Sequence, residues 1–230
     1  MLGDLAFTLR RSPRRTTIGI AVERDGELVL TAPPDCSLTD IARVAEDRRL
    51  WVYTKLAQKA LLTHPTTPKA YVSGEGFSYL GRSYRLRLID AAPTDTLTPP
   101  LRFQQGRFQL RRDAQPQGSA HFVTWYTRHA QPWLTRRVAG LAARLEVAPV
   151  GLEVRDLGFR WGSCSTHARL HFHWRVMLLP PRIIDYIIAH ELVHLHEPHH
   201  APAFWARLER ALPDFAARKQ WLAEQGGWIT

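Results

Sequence analysis

The stretch P-P-R-I-I-D-Y-I-I-A-H-E-L-V-H-L-H-E-P-H-H-A-P-A-F-W, residues 180–205, decides how the rest of the chain is read. After Pro180-Pro181, the positions Ile183, Ile184, Ile187, Ile188, Leu192 and Leu195 are almost entirely apolar, which predicts a buried helix over residues 183–195 with one polar edge. Pro198 must end it, because proline lacks a backbone donor and disfavours helical geometry at Glu197. A last helix is predicted from Ala201-Pro202, carrying Phe204, Trp205, Leu208 and Leu212.

The polar edge is His190-Glu191-x-x-His194. On an α-helix His194 lies ~40° around from His190 and Glu191 ~100° around, so the three share one side. Two imidazoles one turn apart can grip one metal ion, and the carboxylate beside them is offset toward a water on that metal. Zinc in a hydrolytic site usually takes three protein ligands and keeps a position open. His199 and His200 follow Pro198 directly, and spacing alone does not choose between them. His196, ~240° around from His190, is predicted to face solvent.

Moving outward, the loop 160–167 (R-W-G-S-C-S-T-H) sits between strands predicted at 152–157 and 169–174. It offers backbone amides, the hydroxyls of Ser163 and Ser165, and the guanidinium of Arg160 as partners for a developing negative charge. Gly162 also reads as a tight-turn residue and Trp161 as core. Tyr186, one turn before His190, is the helix's own oxyanion donor. Cys164 is expected to be a buried, inert thiol, since a thiolate in the open position would block hydrolysis. His173 is expected to pack in its strand, with a substrate or proton-shuttle role as the alternative.

Earlier in the chain, residues 17–24 and 27–32 read as strands around Asp25-Gly26. Ser37 with Asp40 forms a capping-box pattern opening a helix over 38–61, followed by a loop at 64–69. Two more hairpins are predicted, 76–80 with 83–89 around Gly81-Arg82, and 101–104 with 107–110 around Gln105-Gly106. In the former, Arg85 and Arg87 alternate with Tyr84, Leu86 and Leu88, so the arginines take a solvated face that would also suit anions. The polar run 113–118 reads as a linker, and 119–145 as a helix that bends at Pro132.

Thirty-one Lys and Arg against 21 Asp and Glu give a net charge of +10, and only Lys55, Lys59, Lys69 and Lys219 are lysines. Guanidinium forks suit phosphate and carboxylate, so anionic partners are compatible with this surface. Hydrophobic residues at 45% exclude a disordered chain, and two cysteines exclude a disulfide framework. No run approaches the ~18 apolar residues of a membrane span and residues 1–15 lack a signal-peptide core, so a cytoplasmic protein is expected.

The motifs H-E-L-V-H-L-H-E-P-H-H-A-P-A-F-W (190–205), D-Y-I-I-A-H-E-L (185–192) and R-W-G-S-C-S (160–165) together resemble the YgjP-like metallopeptidase family of bacteria, and more distantly SprT-like zincins. The resemblance extends to R-R-S-P-R-R (10–15), Y-L-G-R-x-Y (79–84) and Trp125-Tyr126. It implies His200 as third ligand beside His190 and His194, Glu191 as catalytic base and Zn²⁺ as cofactor. Two positions depart from the family pattern: Ala201 stands where serine is usual, and His173 where asparagine is usual.

The fold expected is α+β, a β-rich N-terminal part with one helix (1–116) before a minimal zincin-like catalytic part (117–230). The function expected is zinc-dependent hydrolysis of a peptide bond, with Glu191 activating the metal-bound water and Tyr186 and Arg160 as further catalytic residues. The resemblance also carries an alternative, UTP pyrophosphatase activity at the same site, with Arg10, Arg11, Arg14 and Arg15 folded over the cleft. The partner expected is therefore a peptide or a nucleotide, with no membrane. Nucleic acid stays open as a supplementary partner without any recognised binding motif.

Overall fold

The computed structural model describes residues 5–22, 27–53, 56, 68–90, 99–158 and 160–226 of an α+β protein. It divides into two compact units, residues 1–64 and 65–230. In the first, β1 (Phe7–Arg11), β2 (Gly19–Val22) and β3 (Leu28–Ala32) form a sheet in the order β1-β3-β2. β2 runs antiparallel to β3, as a hairpin requires, while β1 was not anticipated and lies parallel to β3. The Asp25-Gly26 turn lies outside the described residues.

Helix α1 (Leu38–Asp47) begins with the expected cap: the Ser37 hydroxyl oxygen accepts the Asp40 N–H at 3.0 Å. Instead of continuing smoothly, the helix pauses at Arg48 and resumes over 49–53. Leu30, Ala32, Ile41 and Ala45 make the small core under it. Arg11 spends its guanidinium on the carbonyls of Pro33, Pro34 and Cys36 within this unit. The expected loop at 64–69 lies almost wholly outside the described residues.

The second unit opens with β4 (Gly76–Tyr79), β5 (Arg82–Ile89), β6 (Leu101–Gln104) and β7 (Arg107–Arg111), in the order β4-β5-β7-β6. Both hairpin turns place two residues in the left-handed region: Leu80 (φ 48) with Gly81 (φ 76), and Gln105 (φ 52) with Gly106 (φ 70). The first turn therefore sits one residue earlier than the sequence suggested. The run 113–118 is not a linker. Residues Arg112–Gln117 form a 3-10 helix with Ala114 buried, feeding directly into α2 (Gly118–Leu145). Position 116 thus lies inside this second unit. One hydrophobic cluster runs from Phe77 and Phe108 on the sheet through Trp125 and Leu134 to Ile188 and Phe204.

Next come β8 (Gly151–Arg155), β9 (Gly162–Cys164) and β10 (Arg169–His173), in the order β8-β10-β9, so part of the expected 160–167 loop is a strand. A short 3-10 helix (Trp174–Leu178) leads into α3 (Pro181–Val193), then α4 (Pro202–Ala211) and an unanticipated α5 (Phe215–Gln225). Helix α3 ends two residues early because its last turn tightens, with Leu195 N–H bonding to the Leu192 carbonyl at 3.0 Å.

Two contacts fix where α3 starts. Leu80 N–H donates to the Met177 carbonyl at 2.7 Å. A side chain on Gly81 would also meet Pro180 Cα at 2.7 Å, so the β4–β5 turn presses directly on the start of α3. Only glycine serves there, for both its φ and its bulk. From α2, Arg137 holds both carboxylate oxygens of Asp185, with Nε 2.9 Å from Oδ1. No helix among the described residues is long and apolar enough to cross a membrane.

Candidate metal centre

The apolar face of α3 is buried on every side: Ile183, Ile184, Ile188, Ala189, Leu192 and Val193 are fully enclosed. That burial leaves the helix one direction in which to present polar groups. Along it, His190, His194 and His200 converge, their ligand atoms all within 4.8 Å of one another. His190 Nε2 and His200 Nε2 are 3.0 Å apart. His199 is exposed and outside the cluster, with its carbonyl accepting the Ala201 N–H at 2.8 Å. His196 is exposed, as its helical angle predicts.

Three supports orient the imidazoles. The carbonyl of Glu197 lies 3.0 Å from His194 Nδ1, which fixes that nitrogen as the N–H and leaves Nε2 with a free lone pair. Trp205 Nε1 donates to the His200 carbonyl at 3.2 Å and its indole stacks against the His200 ring. Phe204, fully buried, forms the floor, with its ring 4.9, 4.8 and 4.7 Å from those of His190, His194 and His200. From the sequence Phe204 is placed only on the last helix, and its packing beneath the three imidazoles comes from the structure.

Burial, then the neighbouring His194 and His200, then Lys219, push the His190 imidazole down to about 3. His200 is lowered as well, by burial first. Both rings are therefore neutral, the form a metal needs. Two nitrogens that each sit ~2.0–2.1 Å from a tetrahedral zinc are about 3.3 Å apart, close to the His190–His200 spacing. Two N–H groups could not face each other at 3.0 Å, so at least one nitrogen offers a bare lone pair. The donor set fits a zinc ion.

Glu191 is buried beside this cluster, and burial pushes its carboxyl up to about 7, with the Arg160 charge and the Cys164 N–H pulling the other way. A side chain on Gly162 would meet Glu191 Cγ at 2.8 Å and Oε1 at 2.9 Å. Gly162 thus makes room for the carboxylate, a role its reading as a turn residue missed. Tyr186 is buried with its phenol pushed up to about 12, by burial and then by the Glu191 charge, so it stays a protonated donor.

The hydroxyls proposed from the 160–165 stretch are spent or turned away. Ser165 Oγ accepts the Arg169 N–H at 3.1 Å. Ser163 pairs with His171, so it shares the sheet face opposite the one on which Gly162 meets Glu191. Cys164 stays outside the imidazole cluster and burial raises its thiol. His173 is buried, with Nδ1 accepting the Arg175 N–H at 3.0 Å and Nε2 3.2 Å from Asp156 Oδ1. Both ring nitrogens are engaged, which leaves none to shuttle a substrate proton.

Residues 16–225 match the family described as YgjP-like, metallopeptidase domain. The chain belongs to the YgjP-like family. Its members' metallopeptidase character makes this a metal-dependent hydrolase of the metallopeptidase type. No curated protein matches the chain. Among solved structures it is similar to the metallopeptidase zymogen abylysin of Pyrococcus abyssi, at 22% identity and a TM-score of 0.34 over 36% of this chain and 84% of that one. In this YgjP-like chain Ala201 is the N-cap of α4 and makes no side-chain cap bond, so the serine usual there would have capped the helix.

Proposed function

We propose that this YgjP-like chain is a zinc-dependent peptidase that binds polypeptide in extended form along β9. The observation that carries this reading is the position of β9 at the edge of its sheet with Glu191 beside it. Trp161 O, Ser163 and Ser165 N turn toward β10. By the alternation of an antiparallel ladder, the backbone groups of Gly162 and Cys164 turn outward. The Cys164 N–H favours the charged form of Glu191, and the remaining outward groups can pair with a substrate strand.

A zinc ion on His190, His194 and His200 would supply Lewis acidity toward a carbonyl and acidify a water. Glu191, with a carboxyl poised near neutrality, takes the proton from the attacking water and returns it to the leaving amine. The Cys164 N–H and the space left by Gly162 keep the carboxylate aimed during that exchange. The Tyr186 phenol donates to the developing oxyanion, and Arg160 supplies positive charge that reaches Glu191.

A triphosphate substrate would call for a wall of arginines, yet within the 65–230 unit the described cations acting on this site are Arg160 and Lys219. The test incubates purified chain of known zinc content with a fluorogenic peptide library and, in parallel, with UTP. Peptide cleavage that vanishes in Glu191→Ala is expected; UTP turnover that vanishes instead would reverse the assignment. His200→Ala should lose zinc and His199→Ala should keep it, and the opposite order would remove His200 from the ligand set.

A further inference from the structure

The sheet β4-β5-β7-β6 carries a charged surface that the hydrolytic site does not use. Its register pairs Leu86 with Phe108 and Leu88 with Leu110, so Arg87 stands opposite Gln109 and Arg85 lies in line with Arg107. On the other side of β7, Arg102 pairs with Gln109 and Gln104 with Arg107. Side chains at paired positions share a face, so Arg85, Arg87, Arg102 and Arg107 stand together on the face opposite buried Leu86, Phe108 and Leu110. Arg85, Arg87 and Arg107 are exposed and Arg102 is half-buried.

None of these four makes an ion pair among the described residues. Arg85 donates to the Gly74 carbonyl at 2.7 Å and Arg102 Nε to the Gln109 side chain at 2.8 Å, both neutral acceptors. Nearby carboxylates are engaged elsewhere: Asp113 pairs with Arg111, and Glu75 accepts the amides of Ala70 and Val72. Like charges one strand apart repel, so the fold tolerates this arrangement at a cost that an anionic partner would relieve. Arg85, Arg87 and Arg107 also line a cavity of about 620 Å³ with Ser73, Gly74, Ser83, Tyr84 and Gly106. No acidic residue lines it.

We propose that this arginine face is a docking surface for the phosphate backbone of double-stranded nucleic acid. Positive groups repeat across neighbouring strands about 4.8 Å apart and along a strand about 6.7 Å apart, which suits a repeating line of phosphates better than one small anion. The aromatics of the sheet, Phe77, Phe103 and Phe108, pack inward on Trp125 and Phe122, leaving the face without the stacking platform that single strands require. The large apolar side chain that β5 adds to this face is Ile89, half-buried opposite Arg111, which alone is too little to enter a lipid surface. Binding through this face is sequence-independent, because guanidinium-to-phosphate contacts carry no base information.

The experiment measures anisotropy of a fluorescent 24-base-pair mixed-sequence DNA duplex titrated with the full chain at several salt concentrations. Four phosphate contacts predict a slope of log K against log salt of about −3.6, and the triple variant R85Q/R87Q/R107Q is expected to flatten it by about 2.7. Thermal melting of that variant should be no lower than the wild type's, since the three side chains are exposed and their mutual repulsion is removed, and zinc content should be unchanged. A variant on the other sheet of this unit, Arg155→Gln, should leave binding unchanged. The proposal is overturned if the wild type ignores the duplex at 50 mM salt, or if the triple variant keeps wild-type affinity and slope. It is equally overturned if vesicles of phosphatidylserine bind while the duplex does not. These readouts are independent of peptide turnover, so either reading can fail without the other.

Discussion

Replacing Gly162 with alanine isolates the contact on which Glu191, the carboxylate proposed as catalytic, depends. Gly162 lies in β9 without a positive φ, so alanine suits the backbone and only the new methyl is at issue. That methyl would stand 2.8 Å from Glu191 Cγ, 2.9 Å from Oε1 and 3.1 Å from Cδ, where ordinary contact begins at 3.4 Å. The arm must therefore retreat by at least 0.6 Å. Burial leaves it little room to do so. Misplacing a catalytic group by ~1 Å costs about 100-fold, so G162A should lower kcat by roughly 10- to 100-fold. Overpacking of this kind also costs about 1–3 kcal/mol of stability, so rates are compared well below the melting temperature. Zinc content should stay at the wild-type ratio, because no ligand is touched. Steady-state kinetics on whichever substrate the wild type cleaves, with metal analysis of the same samples, decides the matter. Wild-type turnover in a fully metallated G162A protein would refute the claim that this glycine sets the carboxylate's position.

Three further perturbations test other parts of the frame. Ala201→Ser should add ~0.5–1 kcal/mol in urea denaturation, because Ala201 is an uncapped N-cap with extended φ −76 and ψ 170, and zinc content should not change. Arg137→Met should cost ~1–2 kcal/mol in the same assay, since Asp185 is mostly buried and would lose its two-point partner from α2; no change would make the pair ornamental. The Asp156 carboxyl is held below its usual value by the Gly158 N–H first, with His173 and Arg175 adding to the effect. A depressed carboxyl contributes stability above its unfolded value, and that contribution is lost as pH falls through the folded one. Melting temperatures followed from pH 6 to 3 should therefore drop less steeply in Asp156→Asn, by a small margin because the carboxyl is largely exposed.

What was legible in the sequence was whatever is decided by neighbours within a turn or two. The His190–His194 pair, the Ser37 cap and the Gln105-Gly106 turn each follow from local spacing and are in place, and the turn at Gly81 is there but one residue earlier than expected. The choice of His200 over His199 was not available from spacing, because it depends on how Pro198 and the Glu197 carbonyl set the turn after α3. Strand β9 was hidden for a similar reason. Gly162-Ser163-Cys164 has no β-branched residue and no alternation, and it is a strand only because residues 170–172 pair with it. Helix α5 has no fully buried residue, and only Phe215, Trp221 and Leu222 pack against the core, too sparse a stripe to announce it, although its Lys219 lies 4.2 Å over the Trp205 ring that braces His200. The polar composition of 113–118 suggested separation where the chain packs tightly, because the apolar residues that close the core there, Phe108, Leu110 and Phe122, stand on either side of it. The same reasoning explains why the arginine face needed the structure. Arg85 and Arg87 are visible as a pair on one strand, but Arg102 and Arg107 join them only through the parallel pairing of β5 with β7, which no local pattern encodes. A surface assembled across three strands is a property of register, and a one-residue slip of β5 would carry Arg85 and Arg87 to the opposite face and leave Arg102 and Arg107 without them.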